Sequence, residues 1–436
     1  MAHPLFLSVA DDIPPLAEEL VVCLGRPKTI PQLPKDRLLV LYRVDEAALG
    51  RIAALDPRRM TKGVVVVASR EENSRDPRMM LRAQKLLAYL FVKYVDMPLS
   101  STRIPDPARL RPANTPPEFP HMLNIFRNTP LHLQHCLVDK LRDKAVGMPC
   151  LLLLPGPSLE LVREHLPELS RRYLIITISR VLPFLRSCGV LPDVLVQLDT
   201  VPLQEHFHHE NDLFPNTVLL SLSLAPVRSF ASRFRRVFFI DSFNLSVLPN
   251  PARIRESWLS SMLACLGVAE TLHAPEVLLV GVDLRLMGHS VYVSEQKDHE
   301  PAPLSTDPMT TLPGGGLATV DMNGRLAYAP LQYFAMAAEA EMFAREITAA
   351  QGAVFRNLSP WSLLDPEVCA PMSFEQALAA PALDKADFLD KADQAAAMQE
   401  HVHLDELCAA YTGALEDARH SRDIMACLRC TDQEGL

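Results

Sequence analysis

The feature that most constrains the fold is a series of short apolar runs, separated by segments with helical patterns. The six runs are Cys150–Leu154, Tyr173–Ile178, Val194–Leu198, Val218–Leu222, Val237–Ile240 and Val277–Val280. Continuous apolar runs of this length are typical of strands that are buried on both faces. Their alternation with helices favours βαβ units and a parallel sheet. The sequence therefore predicts an α/β domain built on a Rossmann-like, mostly parallel sheet.

Two of the intervening segments predict helices that would cover this sheet. Residues Ser257–Leu272 are apolar on nearly every face, as a helix packed against a sheet can be. A second segment has apolar residues spaced alternately by three and four positions, which indicates one stripe of an amphipathic helix. These residues are Tyr333, Met336, Ala340, Phe343 and Ile347.

The chain divides into three zones. Residues 1–115 contain strand-like runs at Leu20–Leu24, Leu38–Tyr42 and Val64–Val67 and a helical stretch at Arg78–Val92, which predict a small α/β N-terminal domain. The proline-rich segment 112–120 is interpreted as a linker to the central domain, residues 121–370. Residues 371–436 are rich in Ala, Leu, Asp and Glu and lack strand patterns. We expect them to form a helical C-terminal appendage.

The overall composition limits the location and partners of the protein. The net charge of −9 argues against nucleic acid as a partner, because phosphate binding needs a basic surface. The first ten residues lack a cationic stretch ahead of a long apolar run, and the apolar runs are shorter than the ~20 residues that span a bilayer. The nine cysteines are an odd number at scattered positions, as in proteins with reduced thiols. The sequence predicts a cytoplasmic protein that does not contact a membrane.

Small polar residues follow the six predicted strands. They are Gly156–Ser158, Ser179, Asp199, Ser221 with Ser223, Asp241 and Asp283. In open parallel sheets, ligands bind in the crevice beyond the carboxyl ends of the strands. The pattern predicts a polar rim above the sheet, although Ser and Asp at such positions also cap the helices that follow.

The most informative of these strand ends is the turn Pro155–Leu159, with the sequence Pro-Gly-Pro-Ser-Leu. Gly156 would let the backbone approach a ligand closely, and Ser158 would cap the following helix. The free N–H groups of that helix would then face a phosphate. The turn contains neither the Gly-x-Gly-x-x-Gly nor the Walker motif. An ordinary strand-to-helix turn is the alternative interpretation.

Several short motifs, in their order and spacing, resemble the motility-associated factor (Maf) family of flagellin glycosyltransferases. This family shares its central domain with the MptE-like pterin diphosphokinases. The resemblance covers about residues 125–360. The motifs are Pro155–Leu159, Ile175–Ser179, Gly189–Asp193, Val196–Asp199 and Leu278–Leu284, with His289 shortly after the last.

The resemblance implies a sheet like that of bacterial sialyltransferases and a CMP-sugar bound at the Gly-Pro-Ser-Leu turn. It implies transfer of a nonulosonic acid, such as pseudaminic or legionaminic acid, to Ser or Thr of flagellin. The nucleotide-binding candidates are Gly156, Pro157, Ser158, Leu159, Ser179, Asp199, Ser260, Ser261 and Asp283. Where family members often follow an Asn with a Gly-rich turn, this chain continues from Asn357-Leu358-Ser359 into Pro360-Trp361.

Transfer from a CMP-sugar passes through an oxocarbenium-like transition state and needs a base for the acceptor hydroxyl. His289 is the first candidate for this base, because an unperturbed pKa near 6.5 suits proton transfer at neutral pH. A surface histidine is the alternative. Asp199 is the second catalytic candidate, and Tyr292 could donate to the leaving phosphate. The irregular stretch Ser294–Val320 could close over the site as a lid.

No Asp-x-Asp motif occurs in the chain, so the sequence predicts no metal site and no required cofactor. Two other functions stay open. One is a pterin diphosphokinase that transfers pyrophosphate from ATP, which would need Mg²⁺ and carboxylates such as Asp199 and Asp283. The other is a non-catalytic module that binds a nucleotide or flagellin.

Overall fold

A computed structural model describes residues 20–24, 38–41, 64–68, 81–82, 85, 88–89, 119–133, 136–198, 213–240, 254, 260–286, 317–321, 325–329, 331–397 and 404–419. In the first zone, strands β1 (Leu20–Leu24), β2 (Leu38–Leu41) and β3 (Val64–Ala68) form a parallel sheet in the order β2-β1-β3. The three predicted strands are confirmed. Residues 81, 82, 85, 88 and 89 are helical and fall within the helix predicted at Arg78–Val92.

The central sheet has nine parallel strands among the described residues. Its strands are β4 (Cys136–Leu137), β5 (Cys150–Leu153), β6 (Leu174–Ile178), β7 (Val194–Gln197), β8 (Phe214–Leu222), β9 (Phe234–Ile240), β10 (Glu276–Val280), β13 (Val354–Asn357) and β14 (Ala370–Pro371). Their spatial order is β14-β13-β10-β5-β6-β7-β8-β9-β4. All six predicted strands are present, and the predicted parallel α/β fold is confirmed.

A separate antiparallel hairpin consists of β11 (Leu317–Val320) and β12 (Leu326–Ala329). The sequence analysis assigned residues 317–320 to the irregular stretch Ser294–Val320, and for these four residues that prediction is wrong. They alternate weakly in polarity, so a pattern confined to four positions did not identify them as a strand.

Among the described helices, four lie in sequence between strands of the central sheet, one precedes them and three follow them. They are α1 (Phe119–His132), α2 (Leu166–Leu169), α3 (Leu182–Ser187), α4 (Ser261–Leu272), α5 (Leu331–Gln351), α6 (Phe374–Leu378), α7 (Lys385–Ala397) and α8 (Leu404–Arg419). Short 3₁₀ helices span Val138–Leu141, Pro157–Val162, Ser179–Val181 and Ala231–Arg233. The helix predicted at Ser257–Leu272 is confirmed from Ser261 onward, and the amphipathic stripe lies within α5. No described helix combines the length and the apolar character needed to span a bilayer.

The sheet is buried on both faces, as its apolar strands predict. Alternate residues of β5 divide between two cores: Leu152 belongs to one, and Leu151 and Leu153 belong to the other. Helices α4 and α5 cover the first face, and α2 and α3 cover the second. Successive side chains of a strand point to opposite faces, so a strand buried on both sides is apolar along most of its length.

The C-terminal helices pack into these same cores instead of standing apart. Phe388 and Ala392 of α7 are completely buried in the core that contains α4, and Leu407 of α8 is buried in the core of the opposite face. At the amino ends of the strands, Arg235 pairs with Asp393 of α7. The region is helical as expected but is not an appendage. The proposed domain boundaries stay predictions.

Candidate functional site

Strands β5 and β10 are neighbours at the centre of the sheet, although about 125 residues separate them in sequence. After β5 the chain builds the sheet outward on one side through β6, β7 and β8, whereas β10 lies on the other side of β5 and continues to β13. The order of the strands therefore reverses between β5 and β10. In open α/β sheets, such a reversal opens a crevice at the carboxyl ends of the strands, where ligands bind.

Two of the motifs at strand ends, Pro155–Leu159 and Leu278–Leu284, meet at this reversal. Hydrogen bonds continue past the strands, from the Leu154 N–H to the Val280 carbonyl and from the Gly156 N–H to the Gly281 carbonyl, both at 2.9 Å. The Pro155–Leu159 turn and the segment after β10 thus form one structural unit.

Glycine is required at both positions of this contact. A Cβ on Gly281 would overlap the Leu154 carbonyl, and Gly281 has a φ of +72°, in the left-handed region. A Cβ on Gly156 would collide with the Gly281 carbonyl and with the Asp283 carboxylate. Gly156 was expected to let a ligand approach the backbone closely, but the described close contact is with the backbone of Gly281 and the carboxylate of Asp283.

Ser158 and Asp283 join the two segments. The Ser158 N–H donates to Asp283 Oδ2 at 2.7 Å, and the Gly281 N–H donates to Ser158 Oγ at 3.2 Å. The expectation that Ser158 caps an α-helix is wrong. The following helix is a 3₁₀ helix whose N-cap is Gly156, without a side-chain cap. The N–H of Ser158 that was expected to face a phosphate is satisfied by a carboxylate.

A third strand adds Ser359, which the sequence analysis did not select as a site residue. Its hydroxyl donates to Asp283 Oδ1, and its N–H donates to Asn357 Oδ1 at 2.9 Å. Ser359 lies in the segment where the sequence departs from the Maf pattern. Its position two residues after β13 was the available signal, but β13 itself was not predicted.

Asp283 is the electrostatic centre of this cluster. It is 1% exposed, and burial raises the pKa of its carboxyl group. The hydroxyl of Ser359, the N–H of Ser158 and the positive charge of Arg285 oppose this shift. Both carboxylate oxygens accept a hydrogen bond, so the group is removed from solvent but hydrogen-bonded at each oxygen.

The other predicted nucleotide-binding residues lie at different depths around this cluster. Leu159 is completely buried in the core, whereas Pro157 is partly exposed. Ser179 is buried and begins the 3₁₀ helix after β6. Ser260 caps α4 by accepting a bond from the Leu263 N–H at 3.4 Å, and Ser261 is its first residue; both are partly exposed.

Three predicted functional residues lie outside the described residues: Asp199, His289 and Tyr292. So do Asp241 and residues 294–316 of the predicted lid. Beyond that gap, Asp321 is completely buried and accepts a bond from Arg285 Nη1 at 3.1 Å, which ties the β11–β12 hairpin to the segment after Asp283. Within the described ranges, no three His, Cys, Asp or Glu side chains gather as a metal site would require.

The motif Gly189–Asp193 lies at the amino ends of the strands, opposite the crevice. Asp193 precedes β7 and accepts bonds from the Ile175 N–H at 2.7 Å and from Lys385 Nζ. It therefore fixes the amino ends of the strands and is distant in the topology from the carboxyl-end crevice. The Gly189–Asp193 motif is therefore part of the resemblance as a structural element of the sheet, and it does not belong to the crevice.

Comparison with known proteins shows what the region that contains most of this site is similar to. Residues 123–288 match the family model described as 6-hydroxymethylpterin diphosphokinase MptE-like. Among solved structures, a Maf glycosyltransferase from Magnetospirillum magneticum AMB-1 is similar at 14% identity and a TM-score of 0.45. The match covers 88% of this chain and 54% of that one, so the chain spans about half the length of that structure. No curated protein matches the chain. The predicted resemblance is confirmed as a similarity of residues 123–288 to the MptE-like family model.

Proposed function

We propose that the protein is a glycosyltransferase that moves a nonulosonic acid of the pseudaminic or legionaminic type from a CMP-sugar to Ser or Thr of flagellin. The donor would lie at the crevice between β5 and β10, over the Pro155–Leu159 turn. Because Ser158 and Leu159 are buried, the exposed surface of Pro157 and the neighbouring backbone would contact the nucleotide.

The observation that carries the proposal is the carboxylate of Asp283 beneath the turn. It already accepts the Ser158 N–H, and its other oxygen accepts the Ser359 hydroxyl. A nucleoside triphosphate would bring several negative charges close to this carboxylate, in a partly buried environment where repulsion is strong. A CMP-activated nonulosonic acid carries one negative charge on its phosphodiester and one on the carboxylate of the sugar, fewer than a nucleoside triphosphate, so the same site opposes it less.

The same bonds bear on the diphosphokinase alternative, which the name of the matching family model suggests. Pyrophosphate transfer from ATP requires Mg²⁺, and Mg²⁺ is held by carboxylates that have oxygens free to coordinate it. Each Asp283 oxygen already accepts one buried hydrogen bond, so only its remaining lone pair could coordinate the metal. This restriction favours sugar transfer as the first function to test.

In the proposed reaction, the bond between the anomeric carbon and the phosphate oxygen of the donor breaks, and CMP leaves with the electron pair. The acceptor hydroxyl oxygen forms the new bond to the anomeric carbon, and its proton passes to a base, for which His289 and Asp199 are the candidates. The positive charge that develops on the sugar ring would be stabilised by nearby negative groups. Asp283 lies beneath the Pro155–Leu159 turn, where its carboxylate would interact with that positive charge.

Thermal unfolding in the presence of CMP, CDP, UDP or ATP, each with and without Mg²⁺, tests the donor. A ligand that binds only the folded state raises its stability by about 2.7 kcal/mol at one hundred times its Kd. We expect CMP to stabilise the protein without metal. Stabilisation by ATP with Mg²⁺ alone would support the diphosphokinase, and no response to any nucleotide would contradict both transfer reactions.

The site is tested with Asp283→Asn, and Asp193→Asn serves as the matched control at the opposite edge of the sheet. An amide at position 283 can still accept from the Ser158 N–H and can donate to the Ser359 hydroxyl, so the fold should survive. Because the amide removes the negative charge that opposes a triphosphate, we expect the preference for CMP over ATP to fall at least tenfold for Asp283→Asn and to persist for Asp193→Asn. Transfer itself is measured as the mass gained by flagellin incubated with a CMP-activated nonulosonic acid.

A further inference from the structure

The helical residues near the end of the first zone bring two cations into the central domain. Lys85 is 1% exposed, and its Nζ donates to the carboxylate of Glu341 on α5 and to the Leu363 carbonyl at 3.1 Å. A buried ammonium group is costly unless it is paired and hydrogen-bonded, and here both conditions are met.

A second cation strengthens the same contact. Arg82 Nε donates to Asp365 Oδ2 at 2.6 Å, and Arg82 Nη2 lies 2.8 Å from Glu367 Oε2. The Asp365 N–H in turn donates to Glu341 Oε1 at 2.8 Å. The guanidinium group of Arg82 helps to hold the pKa of Asp365 below its usual value. Residues 363–367 are therefore held in place by hydrogen bonds and ion pairs from residues of the N-terminal zone.

Residues 359–363 also form hydrogen bonds with the segment that contains Asp283. The Leu363 N–H donates to the backbone carbonyl of Asp283 at 3.1 Å, and the Ser362 hydroxyl donates to the Val282 carbonyl at 2.6 Å. Ser359, three residues earlier, donates to the Asp283 carboxylate. A continuous series of hydrogen bonds thus runs from Lys85 through Leu363 and Asp283 to the backbone of Ser158.

We propose that Lys85 is a positioning residue for the Asp283 site, and that the N-terminal zone is needed to keep the site in its binding conformation. Through Glu341 and Leu363, Lys85 holds residues 359–365 in the conformation that presents Ser359 to Asp283. The first zone then acts as part of the catalytic unit, not as an independent module joined by a linker. The inference rests on the proposed function only for the identity of the ligand.

The size of the effect follows from conformational populations. If loss of the Lys85 contact lowers the fraction of molecules with an ordered Asp283 site to a tenth, the apparent Kd rises about tenfold. Couplings between sites commonly lie in the range of about 5–150-fold. A contribution to stability alone would leave the Kd of the folded protein unchanged.

The test compares Lys85→Met/Glu341→Met with the wild-type protein. Removing both charges avoids a single unpaired buried ion, which by itself can prevent folding. We expect the Kd for CMP to rise about tenfold. We also expect amide hydrogen exchange in peptides covering 281–284 and 358–365 to become faster while the rest of the sheet stays protected. Lys85→Arg keeps the cation and should restore binding to within about threefold of wild type.

Arg235→Met is the matched control, because it removes another cation that joins two parts of the molecule, at the amino ends of the strands. It should leave both the Kd and the exchange near Asp283 unchanged. Unchanged exchange and affinity in the double variant would overturn the inference. If the wild-type protein does not bind CMP, the proposed function fails, and hydrogen exchange still decides the role of Lys85. If the double variant does not fold, Glu341→Gln is read by the same exchange experiment.

Discussion

Among the described residues, Asp193 and Asp283 are buried at opposite ends of the strands of the central sheet, and the two differ in what surrounds them. Asp193, at the amino ends of the strands, accepts bonds from Lys385 and from the Ile175 N–H. Asp283, at the carboxyl ends, accepts bonds from the Ser158 N–H and the Ser359 hydroxyl, which are neutral donors. Burial raises the pKa of both carboxyl groups.

The difference separates a structural carboxylate from one suited to a functional site. Lys385 compensates the charge of Asp193 directly, so the pair joins α7 to the sheet and projects little field. Asp283 has no direct cationic partner among its described hydrogen bonds, and Arg285 acts on it only through its charge. An incompletely compensated charge in a crevice of the sheet can act on a ligand. Carboxyl groups with perturbed pKa values tend to be functional at such places.

The largest effect is expected from a glycine at the carboxyl edge. In Gly281→Ala the new methyl group would overlap the Leu154 carbonyl, and the left-handed backbone adds strain. We expect a loss of more than about 4 kcal/mol in the free energy of unfolding, or failure to fold. Gly189, which precedes β7 at the amino edge, also has a positive φ of +68°, but its Cβ would meet nothing within 4 Å.

Gly189→Ala should therefore cost only the backbone strain, about 1 kcal/mol. Urea unfolding of both variants measures the contrast. Equal losses would mean that the close contact between β5 and β10 does not constrain the site.

The second effect concerns the amino-edge aspartate. Asp193→Ala leaves Lys385 without its carboxylate and the Ile175 N–H without its acceptor, and we expect a loss of about 3 kcal/mol in unfolding free energy. Asp387→Ala removes an exposed carboxylate that pairs with Lys391 four residues along α7, and should cost no more than about 0.5 kcal/mol. A similar loss in the two variants would place Asp193 among ordinary surface ion pairs.

The smallest effect is a difference in pH dependence between Asp283 and Asp365. Burial raises the pKa of Asp283 above 3.8, so its contribution to stability is present below that pH and is lost as the pH rises through the folded-state pKa. We expect the wild-type protein to lose stability relative to Asp283→Asn between acidic pH and pH 7.

Asp365 should show the opposite sign. Its pKa is lowered from 3.8, so its contribution is present above that value and disappears as the pH falls through the folded-state pKa. Wild type should therefore gain stability relative to Asp365→Asn as the pH rises. Unfolding free energies measured at several pH values give both differences. The same sign for both carboxylates would show that Asp283 is not controlled by its desolvation.

The sequence predicted the strands that carry a strong local pattern and missed those that do not. The six central strands each have three or more consecutive apolar residues, as is typical of strands buried on both faces. Strand β13 reads Val-Phe-Arg-Asn, and β4 and β14 have two residues each, so neither period nor length could identify them. Ser359 was missed as a consequence, because its relevance depends on the strand that precedes it.

The α/β class, the parallel sheet and the two motifs at Pro155–Leu159 and Leu278–Leu284 could be predicted from the amino-acid sequence, because local composition and strand ends record burial and turns. The contact between these motifs became visible in the folded chain, since strand order is not encoded in any local pattern. The folded chain also shows that Gly156 makes room for Gly281 and Asp283, and that Lys85 reaches the same site through Leu363. Such contacts join residues more than one hundred positions apart, and they exist only once the chain has folded.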